Sequence, residues 1–446
     1  MSFIKDVLSG IETVLTTLGA TTDVSKTAGT DILAGDVEIL DVSLVSLDGN
    51  RKFSLMDHAK GIQIFKSIMS PVIFAELNIS DSIGLYESFP ILKEEYATIS
   101  IRTPKNNTAL TLLFRVNDVF DHEVHENNKN VTYTIQLVSA DMLRNSRLFV
   151  KRKFNGAGDE LISKILKDDL QTAREVDLEK TSGIISKNLH KMRPFEAIDY
   201  IRQKSYSVKY NFSRLFFFEG KKGYRLASLA RLMDDGAKSV SKGTDKEFFF
   251  DTHRKIKIED VNIRNIIAYN RPTSGDACSV SALGGFTNSV NALDTIMGNL
   301  NTVTYTDNIG TNTLKTAGGK DKASLNSSTY TNTQGKTTSA TRLVPISSAN
   351  PKTQYPAALS VGIAEALKVD QNKIQIYIYG DTDIDIGDMI ICHLPAATSI
   401  DNGKTKARLN TGNYLVAKIR HIILNSDRPQ HTMALELIKG DFEDNA

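Results

Sequence analysis

The tightest constraint on the fold of this chain lies near its C-terminus, where NKIQIYIYGDTDIDIGDMIICHLP, GNYLVAKIRHIIL and HTMALELIKG follow one another. Ile374, Ile376 and Ile378 alternate with Gln375, Tyr377 and Tyr379, and Met433, Leu435 and Leu437 alternate with Thr432, Ala434 and Glu436. A period of two puts the apolar set on one face of a strand and the polar set on the other. Gly380, Gly387 and Gly412 stand where tight turns need a residue without Cβ. Three strand patterns joined by turn chemistry predict a compact antiparallel β unit. No catalytic motif elsewhere in the chain competes with it.

The chain has 446 residues, enough for several domains, with 41% hydrophobic and 24% charged residues. The net charge of +2 and the lack of a long Lys/Arg block argue against a nucleic-acid-binding face. The short run Lys151–Lys153 reads as a solvated loop face. Cys278 and Cys392, far apart in sequence, make neither a disulfide framework nor a zinc cluster and read as reduced thiols of a protein assembled in a reducing cytoplasm. No run of about 18 apolar residues predicts a membrane span. The N-terminal segment carries Asp6 and Glu12 where a signal peptide would be apolar. Its Ile4, Val7, Leu8, Ile11, Val14, Leu15 and Leu18 instead share one helical face that ends at Gly19. Such a short helix must bury its stripe, either on its own chain or on a neighbouring subunit.

Residues 1–35 thus divide into an amphipathic helix and a Thr/Gly/Ala-rich linker. Residues 36–145 form a first β block in which DVEILDVSLVSL, VIFAELNI, ATISIRT, LTLLFRV and VTYTIQLV read as strands. Within it, Asp57 is positioned to cap a helix carrying Ile62, Phe65, Ile68 and Met69 that stops before Pro71. Residues 146–270 read as a small α+β domain, with helices over GDELISKILKDDL and PFEAIDYIRQKS and a strand–turn–strand over RLFFFEGKKGYRLASL. Residues 271–356 are dense in Ser, Thr, Asn and Gly and read as a long excursion with little regular structure. Helical character returns at ALSVGIAEALKV, and residues 357–446 hold the final β unit.

Motifs that suggest chemistry fail on spacing. GKT occurs at Gly335 and Gly403, but a phosphate-cradling loop needs a second glycine five positions earlier, where Tyr330 and Thr398 stand. His122 and His125 of HEVHE are three apart in a hairpin loop, where the zincin pattern needs four on a helix. DTDIDIGD at Asp381–Asp388 opens like a calcium loop, but its sixth and twelfth positions are Ile386 and Cys392. It reads as a turn and strand with Asp383 and Asp385 facing solvent, a weak cation site being the alternative. The carboxylate pairs Asp168/Asp169 and Glu94/Glu95 carry no sign of the differing environments that acid–base chemistry requires.

The terminal unit resembles the closing barrel of phage baseplate hub proteins, a family that includes late-control tail proteins and the hub part of type VI secretion spikes. There a Gly-Asp turn precedes a strand, a Gly-x-Tyr-x-Val strand leads to a His position, and an alternating strand ends the barrel. The matching residues are Gly387-Asp388, Gly412, Tyr414, Val416, His421 and Met433 through Ile438. In the stretch SPVIFAELNISDSIGLYESFPILKEEYATISI, Asp81-Ser82, Pro90 and Glu94-Glu95 follow the order of that family's first barrel. The resemblance covers the two β blocks; the polar residues 271–356 depart from it.

What this resemblance implies is a β-rich α+β chain with two tail-tube-like antiparallel β-barrel domains, a peripheral α+β domain and a polar excursion between them. It implies a homotrimer whose six barrels make a pseudo-sixfold ring, joining a hexameric tail tube to a trimeric central spike. It implies contact with the tail tube protein, the spike protein and the tape measure protein, and DNA passing through the lumen without sequence-specific binding. The expected location is a virion tail baseplate assembled in the host cytoplasm, away from membrane. It implies no catalytic residue, cofactor or metal, so Asp81, Pro90, Gly387, Asp388, Gly412, Tyr414, Val416 and His421 are expected to be structural. Ile4, Val7, Leu8, Ile11 and Leu15 are the expected partner-docking residues. A tail-tube or tail-completion protein is the alternative, and a tail-associated cell-wall hydrolase a further one.

Overall fold

Alternation of apolar and polar side chains governs most of this chain. The computed structural model describes residues 33–85, 89, 91–104, 106, 108–124, 131–210, 214–241, 246–250, 264–271, 279, 282–284, 287–294, 298–306, 340–346, 355–370, 373–394 and 411–439. The N-terminal stripe of Ile4, Val7, Leu8, Ile11 and Leu15 lies outside the described residues, as do Pro90, His125, Cys278 and both GKT triplets.

The first β block comprises β1 (Glu38–Val45), β2 (Lys52–Ser54), β3 (Ala59–Ser67), β4 (Phe74–Asp81), β5 (Tyr96–Arg102), β6 (Leu110–Val124) and β7 (Val131–Ser139). Its core gathers every second residue of these strands, among them Ile62, Ile64, Leu77, Ile99, Phe114 and Ile135. One element differs from expectation: the segment expected as an Asp57-capped helix is strand β3. Ile62 and Ile64 are buried on one face while Gln63 and Phe65 stand on the other. The helical spacing of Ile62, Phe65, Ile68 and Met69 is real, but β4 and a strand from the far end of the chain claim both edges of the segment. Tertiary pairing overrides the local pattern.

The middle of the chain follows as α1 (Ala140–Arg147), β8 (Val150–Gly156), α2 (Gly158–Lys164), β9 (Glu175–Leu178), β10 (Thr181–Ser182), β11 (Ile185–Met192), α3 (Pro194–Lys204), β12 (Tyr206–Ser207), β13 (Leu215–Glu219), β14 (Gly223–Ser228), α4 (Leu229–Ser241) and β15 (Glu247–Phe249). A π-helical turn over Ile165–Asp169 extends α2. Leu161, Ile162, Ile165 and Leu166 meet Ile198 and Ile201 of α3 in a separate core, which Val72 and Val138 of the first block join. The basic run Lys151–Lys153 lies on β8 and not in a loop.

β16 (Ile266–Asn270) precedes β17 (Thr287–Asp294), β18 (Leu300–Thr306) and β19 (Ala340–Ile346). These last three form a sheet of their own, so the expectation of little regular structure in residues 271–356 is corrected. Val290 and Ala292 alternate inward on β17, and Asn288 Nδ2 donates to the Ser360 carbonyl of α5 (Tyr355–Asp370) at 3.0 Å. Ser and Thr suit a half-exposed pleat, so a polar composition does not exclude strands.

The closing unit is β20 (Lys373–Tyr379), β21 (Met389–His393), β22 (Gly412–Leu424) and β23 (Gln430–Lys439). Its alternation is as the sequence predicts, with four strands instead of three. β22 pairs with β23 on one edge and with β3 on the other, from Lys418↔Ser67 to Leu424↔Gly61. The two β blocks therefore share one 13-stranded sheet, running β16-β20-β23-β22-β3-β4-β7-β6-β5-β1-β2, with β21 and β15 attached. Among the described strands that path is open and no closed barrel is found. The antiparallel β character is as expected; in place of two barrels the described strands form two β units with separate cores, joined at one seam.

Ile423 sits on β22 of the second unit yet belongs to the core of the first and is fully buried. Ile423→Ala should lower unfolding stability by about 2–5 kcal/mol, the cost of a buried cavity at a site that cannot collapse. Urea unfolding followed by circular dichroism measures it; a loss below about 1 kcal/mol would mean that the seam contributes little to the first core.

Candidate functional site at the seam of the two β units

The turn between β20 and β21 is short of space and rich in charge. A Cβ on Gly380 would stand 1.9 Å from Nδ1 of His431, so only glycine fits there. Asp381 accepts from Asn106 Nδ2 at 2.9 Å and from its own loop at Asp383 N, also 2.9 Å. Thr382 N donates to Thr103 Oγ1 at 3.1 Å, and Thr108 Oγ1 to Asp383 at 3.2 Å. Lys66 Nζ of β3 reaches Asp385 at 3.1 Å, while Lys221 N of the β13–β14 turn also donates to Asp385. Lys246 Nζ reaches Asp388 at 2.7 Å. One loop of the closing unit thus holds the first β unit and the peripheral domain at once.

These contacts correct the expectation that Asp385 faces solvent. Its side chain is 19% exposed and that of Lys66 only 1%. A sealed ammonium is costly unless paired and hydrogen-bonded, and Asp385 supplies that partner. Asp383 does face water, at 46% exposure. Each carboxylate of the loop is already opposed by a cation: Asp381 by Arg264, Asp383 by Lys221, Asp385 by Lys66 and Asp388 by Lys246. The loop is filled by the chain's own cations. Among the described residues no group of three or more His, Cys, Asp and Glu is placed to hold a metal.

Two family-motif positions, Gly387 and Asp388, lie in this loop, and a third, Val416, is bonded to it. Gly387, at φ +83°, donates its N–H to Val416 O at 2.8 Å, and Val416 N returns to Asp388 O at 2.8 Å. This strap meets β22 where its pairing with β23 slips between Val416 and Lys418, and the freed Ala417 carbonyl accepts from Ile68 N at 3.0 Å. Gly412 opens β22, and Tyr414 and Val416 are buried in the second core, where burial pushes the Tyr414 phenol up. Asp81 ends β4 and caps its turn by accepting from Ile83 N at 3.0 Å. His421, fully buried, pairs through Nδ1 with Nε2 of His431 at 3.1 Å. Burial holds His421 well below its ordinary value and His431 down to about 4.

Elsewhere, charged groups are matched locally. Asp168 and Asp169 both pair with Arg152, and Glu94 pairs with Arg147. Glu95, buried, accepts from Leu92 N and Glu94 N. Asp159 accepts from Thr181 and Lys180, and Glu179 from Ser207 and Ser228. His122 is exposed on β6 and stacks on Tyr133. Glu219 is buried, which raises its carboxyl, and Arg174 Nε stands 3.3 Å from it. It lines neither of two clefts. One, of about 340 Å³, opens on the outer sheet face across the seam beside Phe65, Tyr377, Lys418 and Arg420. The other, of about 320 Å³, lies between Met69, Phe195, Arg202 and Phe217.

Sequence reading misses Lys66, Asn106 and Lys246, because nothing local marks a residue whose partner is more than a hundred positions away. Asp385→Ala strands the Lys66 ammonium and should cost about 3 kcal/mol. Asp383→Ala, at an exposed pair, should cost less than about 1 kcal/mol. Adding Lys66→Met to Asp385→Ala should restore most of the loss. Equal effects of the two single variants in urea unfolding would disprove the clasp.

No protein-family model matches the sequence. No curated protein matches it either. Solved structures do. A tail protein from Neisseria meningitidis superposes with a TM-score of 0.52 at 10% identity, over 90% of this chain and 96% of its own. The 43 kDa tail protein of prophage MuSo2 from Shewanella oneidensis gives 0.52 at 10% identity, over 90% and 98%. A chain of a Francisella PdpA–VgrG complex is a weaker likeness, with a TM-score of 0.43 at 10% identity, over 92% of this chain and 53% of that one. The likeness is one of fold: the chain is built like phage tail proteins.

Proposed function

We propose that the chain is a structural hub of a phage-type tail, a homotrimer that joins a sixfold tube to a threefold spike. The observation that carries this reading is the seam: two antiparallel β units are fused edge to edge through β22 and β3. Two ring segments per chain, in three copies, turn threefold symmetry into six similar positions. A heterologous ring also covers the sheet edges that stay open at β16 and β2 among the described strands. The partners on this reading are the tail tube, the central spike and the tape measure protein, in a baseplate assembled in the host cytoplasm.

The outer sheet face supports passage of DNA without retention. Gln63, Glu76 and Gln136 stand in one cross-strand row with Asp118, and Lys418 pairs with Glu436 at 2.9 Å. Arg420 lies over the Phe65 ring at 5.3 Å and donates to Gln63. Both signs are interspersed, so no unbroken cationic stripe would hold phosphates. The locally matched carboxylates agree with a role that is not enzymatic.

Light scattering of the purified chain, alone and with its spike partner, tests the reading. Three copies per particle are expected. A stable hexamer would favour the tube or tail-completion alternative, and a monomer indifferent to every tail protein would refute the hub.

The N-terminal stripe is proposed to dock within that assembly. Burying one such side chain is worth about 1.5–3 kcal/mol. Leu8→Asp with Ile11→Asp should therefore weaken trimer or tail assembly more than it lowers the melting temperature of the isolated subunit. Loss of both in proportion would place the helix in its own chain's core.

A further inference from the structure

We propose that the His421–His431 pair makes the seam between the two β units acid-labile: a proton taken up there favours parting of β22 from β3 while the rest of each unit's core stays packed. The pair occupies the junction itself. On β22, His421 lies between Ile419, which packs in the second core, and Ile423, which packs in the first, and its cross-strand partner on β3 is Ile64. Both rings are fully buried. One hydrogen bond, 3.1 Å long, joins them and leaves His421 Nε2 and His431 Nδ1 without a partner. Two neutral rings satisfy that bond with one donor and one acceptor. A third ring proton would add an N–H with no acceptor and a charge with no water.

The surrounding charges do not relieve this. From β3 the Lys66 ammonium faces His421 and opposes a second positive charge. From the loop after β20, Asp381 favours a charge on His431, but Asn106 and Arg264 already engage it. Asp385 is committed to Lys66, and Asp36, beside the Gly35 backbone that accepts from His431 N, to Arg428. On the pair's own strands, Lys418, Arg420 and Glu436 alternate with the histidines onto the opposite face.

The sign follows from linkage. Closed, the rings stay neutral well below the ordinary histidine value of 6.5; parted and hydrated, they take protons near it. Closure is therefore fully favoured above about pH 6.5 and weakens as pH falls toward about 4, by up to tenfold per pH unit for each ring. Local parting is available because the strands across the seam share a single ladder, Gly61–Ser67 with Lys418–Leu424, and its opening withdraws Ile423 from the first core and Ile68 from the second while the other members of each cluster stay together.

Hydrogen–deuterium exchange of the full chain at pH 7.5 and 5.0, corrected for intrinsic rates, tests this. The β22–β3 amides should gain about 30-fold or more in opening relative to the β5–β6 amides, the effect of one ring over 1.5 pH units below 6.5. The double variant His421→Gln/His431→Asn, neutral throughout, should lose that response. Ring nitrogen shifts of the wild-type protein should show both histidines neutral at pH 6. If the double variant does not fold, the wild-type exchange ratio and ring shifts decide alone. The proposal is overturned if either ring titrates near 6.5 with the seam closed. It is equally overturned if seam amides follow β5–β6 at both pH values, or if the folded variant keeps the acid response.

Discussion

The ladder between β22 and β3 is the interaction on which the rest of the molecule depends. Without it, β3 would be the open edge of the first unit and β22 that of the second, each a row of unpaired backbone groups. With it, backbone hydrogen bonds of the two ends of the chain complete each other. Side chains then cross in both directions: Ile423 of the closing unit fills the first core, and Ile68 at the end of β3 fills the second. A strand swap of this kind fixes the relative rotation of the two units, because a one-residue slip would turn both apolar sets outward.

Polar contacts refine what the ladder fixes. The Asp381–Asp388 loop has four carboxylates, and their cations come from β3, from the β13–β14 turn and from the segments flanking β15 and β16. Most of these pairs are partly exposed and are worth little individually. Lys66 with Asp385 is the exception, because the ammonium is sealed from water. Such a pair is weak as a source of net stability, yet it is strongly selective: any arrangement that separates the partners leaves a buried charge unpaired. The clasp therefore specifies the geometry of three parts of the chain more than it strengthens any one of them.

Much of this was legible in the sequence where the demand is local. The alternation of Ile374, Ile376 and Ile378 survives as β20, and Pro194 opens α3 as its fixed φ requires. Gly387 holds φ +83°, and Gly412 opens β22, as the turn chemistry around them suggests. The motif positions at Asp388, Tyr414, Val416 and His421 come together around one loop and one strand. In the polar stretch, composition misled: a three-stranded sheet needs few buried residues when α5 covers one face, and Val290 and Ala292 suffice.

The unread parts share a physical cause. Ile62, Phe65, Ile68 and Met69 fit a helical face, and Ile62, Ile64 and Lys66 fit a strand; local pattern cannot choose between them. The choice is made by β22, which arrives more than three hundred residues later in the chain, and by β4 on the other edge. Lys66 is the sharpest case. On sequence alone a lysine in the apolar stretch GIQIFKSIM argues for an exposed face, since a lone ammonium is seldom buried. It is buried because Asp385 waits for it, 319 positions away in sequence. The residues that weld the two units are therefore those whose character is set by partners, and a partner at that separation leaves no mark on its neighbours in the chain.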